Sequence, residues 1–167
     1  MSLIEGLHAH DEVDPIDLVE SIATYHDWEF DRIADDQIAM AVEGQWRTYS
    51  ITLAWSHSDE VLRLVSTFDM EPPPSRVPAL LDLLNRINDR VWAGGFTWWE
   101  SQNLMVWRYG LSCAGGLTAA PEQLDRMIGD AVKHSERFYP AFQLVAWGER
   151  EPEDAMRVAI AEAYGRA

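Results

Sequence analysis

The stretch Ser75–Leu111, SRVPALLDLLNRINDRVWAGGFTWWESQNLMVWRYGL, decides the fold. Its first half places Val77, Leu80, Leu81, Leu84, Ile87 and Val91 at three- and four-residue steps, one apolar stripe along a helix. Asp82, Arg86, Asp89 and Arg90 face away from that stripe. Ser75 is expected to cap the helix. Pro78 is tolerated because first-turn amides lack intrahelical acceptors. Gly94 and Gly95 are expected to stop the helix through the positive φ that glycine allows. Phe96-Thr97-Trp98-Trp99 then reads as a strand, Ser101-Gln102-Asn103 as a turn, and Leu104–Leu111 as the return strand.

Outward from that unit, the chain upstream is a helix and four strands. Asp14-Pro15 opens a helix with Ile16, Val19, Ile22 and Ala23 on its apolar side. Strands are expected over 28–33, 37–43, 45–55 and 61–70; the third alternates most clearly, with Tyr49, Ile51, Leu53 and Trp55 against Thr48, Ser50 and Thr52. Downstream, Pro121 opens a long helix that Pro140 should break or kink, and a last helix spans 152–164 with a small-residue face at Ala155, Ala159 and Ala163. The expected fold is α+β: an antiparallel sheet of about 5–6 strands with helices packed on it, in the order α-β-β-β-β-α-β-β-α-α. Residues 1–13 lack periodicity and read as a flexible arm ahead of one domain, 14–167.

Charge bounds the partners. The 167 residues carry a net charge of −15. Residues 1–60 hold 14 Asp/Glu against Arg32 and Arg47, a balance of −12, which leaves −3 for the remainder. Such a chain is repelled by phosphate backbones and anionic lipid, so neither nucleic acid nor a membrane is the expected partner. No apolar run is long enough to span a bilayer, no basic segment opens the chain as a signal peptide would, and a single cysteine, Cys113, cannot form an internal disulfide. Together these place the protein in the cytoplasm by expectation.

Asn88-Asp89-Arg90-Val91-Trp92-Ala93-Gly94-Gly95-Phe96 and the later run Arg137-Phe138-Tyr139-Pro140-Ala141-Phe142-Gln143-Leu144-Val145-Ala146-Trp147-Gly148 resemble the YbjN family of bacterial proteins, in its alphaproteobacterial branch. Asp14-Pro15-Ile16-Asp17-Leu18-Val19-Glu20 is similar too, so the resemblance runs from about Asp14 to Tyr164. It implies a fold like that of type III secretion chaperones, often dimeric, and a role in sensory transduction, stress or motility regulation. The family offers no established catalytic residues to carry over.

The residues themselves supply no catalytic motif. His8, His10, Asp11, Glu12 and Asp14 are metal-ligating types, but an unstructured arm makes no rigid site, so no metal and no cofactor is expected. Cys113 lacks a local signature and reads as a small buried thiol. The glycines at 110, 115 and 116 lack the spacing and the lysine of a phosphate loop. The better candidate is the sheet face opposite the helices, expected to gather Thr48, Ser50, Thr52, Arg63, Thr67, Thr97 and Arg108 with Trp46, Val65, Trp99 and Val106. That face is expected to receive a second subunit or a client peptide, with Trp46, Arg63, Trp99 and Arg108 as binding residues. Asn85 and Asn88 are expected to act structurally, bonding the Gly94–Phe96 backbone. The leading reading is a non-enzymatic, chaperone-like or regulatory protein-binding module, a homodimer with an unidentified protein client. The alternatives are a small-molecule sensor with a pocket between the helix and the Trp98 and Trp107 hairpin, and a hydrolase or metal-dependent enzyme.

Overall fold

The computed structural model describes residues 14–164, so the candidate ligands His8, His10, Asp11 and Glu12 lie outside the described residues. The elements follow the expected order: α1 Pro15–Tyr25, β1 Glu29–Ala34, β2 Gln37–Glu43, β3 Thr48–Ser56, β4 Val61–Asp69, α2 Val77–Asn88, β5 Gly95–Trp99, β6 Leu104–Ser112, α3 Pro121–Ala146 and α4 Pro152–Tyr164. The strands form one six-stranded antiparallel sheet in the order β1-β2-β3-β4-β6-β5. The α+β architecture read from the sequence is the one observed.

Alternation fixes which face is covered. Ile38, Met40 and Val42 of β2, Tyr49, Ile51 and Leu53 of β3, Leu62, Leu64 and Phe68 of β4, and Met105 and Trp107 of β6 are all buried on one side, against the helices. α1 lies over the β1–β3 end, α3 over β4 and β6, and α2 beside β5, with α4 packed on α2 and α3. The aromatic centre of this core is Phe96, whose ring meets Trp107, Phe138 and Phe142 edge-on at 4.9, 6.2 and 5.2 Å.

Buried-side polar contacts tie distant segments together. Arg32, on the covered face of β1, donates to Asp17 at 2.7 Å and Glu20 at 3.0 Å and reaches Asp14 at 3.4 Å, so one guanidinium holds three acids of α1 and its cap. Asp14 in turn accepts from the Ile16 amide at 2.9 Å, as an N-cap should. Arg76 donates to the carbonyls of Val145 and Arg150 at 2.8 and 2.7 Å, joining the start of α2 to the end of α3.

Three sequence expectations are corrected. α2 begins at Val77 after a 3-10 turn over Pro74–Arg76, and Ser75 makes no capping bond, because Arg76 occupies the N-cap position without a side-chain bond. α2 ends at Asn88 rather than at the glycines, leaving 89–94 as a loop before β5; Gly94, with φ +96°, opens the strand instead of closing the helix. α3 continues through Pro140 as one helix of 26 residues, so the break expected there, one of the two outcomes a proline could impose, does not occur. Pro140 forfeits the amide that would have served Glu136, but Ala141, Phe142 and Val145 just beyond it are fully buried, and that packing outweighs one lost bond.

Candidate functional site

The opposite face of the sheet has no helix on it among the described residues. Its side chains follow from the register: one ladder row reads Asp31, Ala39, Thr52, Val65, Arg108 and Gly95 across β1, β2, β3, β4, β6 and β5. The next row reads Glu29, Ala41, Ser50, Thr67, Val106 and Thr97. These are small or β-branched side chains in the middle, acidic at the β1 end and basic toward β5. Val106 is wholly buried even here, flanked in its row by Thr67 and Thr97, whereas Arg63 and Arg108 are exposed.

The basic end is concave. A groove of about 760 Å³ is bounded by Arg63, Val65, Thr97, Arg108 and Gly110 from the strands and by Trp92 from the loop before β5. Trp92 is 99% exposed, an unusual state for the largest apolar side chain. Arg63 pairs with Asp59 and also reaches Ser56 Oγ at 3.4 Å, while Arg108 has no ion-pair partner among the described residues.

Three of the four residues expected to bind lie on this face: Arg63, Arg108 and Trp99, the last half-buried at the end of β5. Trp46 does not. Strand alternation would have put it beside Thr48, but β3 starts only at Thr48, and the loop before it turns the indole to the helical side, where it lies over Tyr139 at 6.4 Å. That loop is clamped by Glu136 of α3, whose carboxylate accepts from the amides of Gln45 at 3.0 Å and Trp46 at 3.2 Å and from the Tyr49 hydroxyl. Burial, then the Glu136 bond, push the Tyr49 phenol far above its ordinary range. Sequence reasoning missed Trp92, although its place in a loop beside two glycines was the available signal.

Of the structural residues, Asn88 bonds both polar groups of Phe96 through its side chain, and Gly95 lies against it. The side chain of Asn85 is exposed, and its backbone carbonyl accepts from Asp89 at the end of α2.

Elsewhere the chemistry is that of a core. The Cys113 thiol is buried and pushed up, first by burial and then by Glu60, the reverse of an activated nucleophile. His57 lines the same hollow of about 320 Å³, but its Nδ1 already accepts from the Trp55 indole at 3.2 Å. His134 stacks on Trp107 at 4.7 Å, and burial holds its pKa below the usual value. A hollow of about 260 Å³ that Trp107 helps to line lies between β6 and α3, with Tyr109, Met127 and Asp130 on its walls. Among the described residues no cluster of three metal-ligating side chains occurs, and no helix is long and apolar enough to cross a membrane.

Among the described residues the molecule is thus an α+β protein of the one-sided kind, with helices on one face of an antiparallel sheet and a charge-patterned face without helices on the other. The chain belongs to the YbjN family: the family model described as "Putative bacterial sensory transduction regulator" matches residues 15–144. Among solved structures it is similar to YbjN from E. coli, described as "a putative transcription regulator", with a TM-score of 0.53 at 13% identity over 93% of this chain and 97% of that one. At that identity the likeness is one of fold. No curated protein matches the sequence.

Proposed function

We propose that this protein is a non-enzymatic, chaperone-like binding module of bacterial regulation that works by holding another protein, a second copy or a client, on the uncovered face of its sheet. The observation that carries the reading is that face itself: six strands wide, built from small side chains, with Arg63, Arg108 and Trp92 around one groove and Trp99 on the same face at the far end of β5. Exposed tryptophan beside arginine is the composition of interface anchors. The regulatory description of the family supports the same reading, as do the raised thiol of Cys113 and the occupied Nδ1 of His57. A cytoplasmic setting fits a chain whose one cysteine stays a thiol.

The test is affinity capture of the tagged protein from its host's lysate, with light scattering on the purified species. Capture or self-association that is lost with Trp99→Ala and Val65→Asp, and kept with Trp46→Ala on the helical side, is the expected result. If neither variant alters any partner or the solution mass, the face is not a protein contact and the reading falls.

A further inference from the structure

We infer that the uncovered face is a two-fold interface between two copies of this chain, with the axis running along the strands between β3 and β4. This deepens the reading of that face as a protein contact and commits it to one occupant.

The geometry follows from strand order. A half-turn about that axis sets β3 over β4, β2 over β6 and β1 over β5 of the second copy, and keeps every residue at its own height along the strands. A twisted sheet is saddle-shaped, and a saddle turned over about one of its strands has the same shape. The two faces therefore follow each other, at a spacing of about 10 Å or less where the side chains are small. At the axis they are small: Thr52 comes over Val65 and Ser50 over Thr67.

The charges match under the same operation. Asp31 and Arg108 occupy one ladder row, four strands apart. Both are exposed, and neither has an ion-pair partner among the described residues. The half-turn sets Asp31 of each copy over Gly95 of the other, one strand spacing from Arg108 in the same row and within reach of that long side chain, giving two equivalent pairs.

Exposed apolar groups match too. Ile33, 55% exposed, is the extra residue where the β1–β2 register shifts, and it sits level with Gln37 on the uncovered side. Gln37 shares its row with Ala54, Arg63 and Gly110, the height at which Trp92 projects beside the groove. The half-turn that pairs Asp31 with Arg108 also carries Ile33 toward Trp92 of the second copy. A self-complementary surface of this kind is what a closed two-fold dimer requires.

The extent is adequate. Five strand spacings give a width of about 24 Å and seven residues a height of about 23 Å, on the order of 550 Å² before side-chain relief and the Trp92 loop are counted. A standard interface buries about 800 Å² per partner. The charge of −15 on each copy opposes approach, but at physiological salt its reach shrinks to about 8 Å.

Sedimentation analysis of the full chain at physiological salt tests this. The wild type is expected to dimerise, and Asp31→Arg and Arg108→Asp are each expected to weaken dimerisation roughly 100-fold, since two pairs turn repulsive at about tenfold or more each. Mixing the two variants is expected to restore a heterodimer near wild-type strength, because every arginine then has an aspartate of the other copy one strand away. That restoration also shows both variants are folded. A wild type monomeric at all concentrations, a dimer indifferent to both reversals, or a mixture that fails to recover would each overturn the inference. A monomer that still captures a partner lost with Val65→Asp would overturn it while leaving the proposed function standing.

Discussion

The side-chain amide of Asn88 pairs with the peptide of Phe96 as a neighbouring strand would: Asn88 Nδ2 donates to the Phe96 carbonyl at 2.9 Å, and the Phe96 amide donates to Asn88 Oδ1 at 2.8 Å. β5 is the last strand of the sheet, and its outer backbone groups would otherwise be unpaired. The last residue of α2 supplies the missing ladder for one residue and so fixes where helix and sheet join. Asn88→Ala leaves a donor and an acceptor unpaired, at a cost of about 2–4 kcal/mol. Asn88→Asp keeps the acceptor but sets a carboxylate against the Phe96 carbonyl, and is expected to destabilise by a similar amount. Urea unfolding with an unchanged slope reads both; a loss below about 1 kcal/mol for Asn88→Ala would contradict this account.

Gly94 sits at φ +96°, and a Cβ there would lie 2.5 Å from Trp107 Cζ2 and 2.9 Å from the Arg108 carbonyl oxygen. Neither neighbour can yield, since Trp107 is 1% exposed and the carbonyl is backbone in β6. Gly94→Ala is therefore expected to cost about 3 kcal/mol through strain and overpacking together. In a chain of this size that is a fall of roughly 6–12 °C in melting temperature. Gly115→Ala is the comparison: φ is again positive, at +82°, but open space surrounds the site, so strain alone of about 1 kcal/mol applies. Equal losses for the two variants would show that contact with Trp107 is irrelevant.

How far the chain can be read without its structure depends on the range of the force involved. β2 is bounded at Gln37 and Glu43 and β4 starts at Val61, as alternation demands, because a two-residue period is a local consequence of one buried face. The composition of the uncovered face was legible for the same reason. Trp46 was misplaced because its orientation is set by Glu136, 90 residues later, which no local pattern encodes. Pro140 misled because the local cost of a proline was visible while the burial of Phe142 and Val145 beyond it was not. The pairing of Asp31 with Arg108 in one row needs the register of all six strands, and appears only once β6 is seen inserted between β4 and β5.

The Glu136 clamp predicts an alkaline weakness. Tyr49 keeps its proton in the folded chain far above the ordinary phenol value near 10, through burial first and the bond to Glu136 second. A folded-state pKa raised above the unfolded one gives stability that is complete below about pH 10 and is lost as pH rises beyond it, since the unfolded phenol ionises first. Tyr49→Phe is expected to cost about 1–3 kcal/mol at pH 7 by stranding an acceptor of Glu136. It should also flatten the fall in stability between pH 10 and pH 11. Unfolding curves at pH 7, 10 and 11 for both proteins check the sign: an equally steep alkaline loss in Tyr49→Phe would place the titrating group elsewhere.

His134 predicts the opposite flank. Its ring stacks on Trp107 at 4.7 Å with an interplanar angle of 25°, and its Nδ1 is buried without a hydrogen-bond partner among the described residues. Burial lowers its pKa, Asp130 acts in the other direction, and Lys133 and Arg137 lower it further. The neutral ring is thus the form the fold accepts. With the folded-state pKa depressed, the contribution to stability is complete above the unfolded value of about 6.5 and is lost as pH falls below it, because the unfolded imidazole takes up its proton first. His134→Phe preserves a flat ring against Trp107 and removes the proton. It is expected to match the wild type at pH 8 to within about 1 kcal/mol and to exceed it at pH 5. Denaturant unfolding followed by tryptophan emission reports both values, and a wild type that loses nothing relative to His134→Phe between pH 8 and pH 5 would mean that the stacked imidazole is protonated in the folded chain after all.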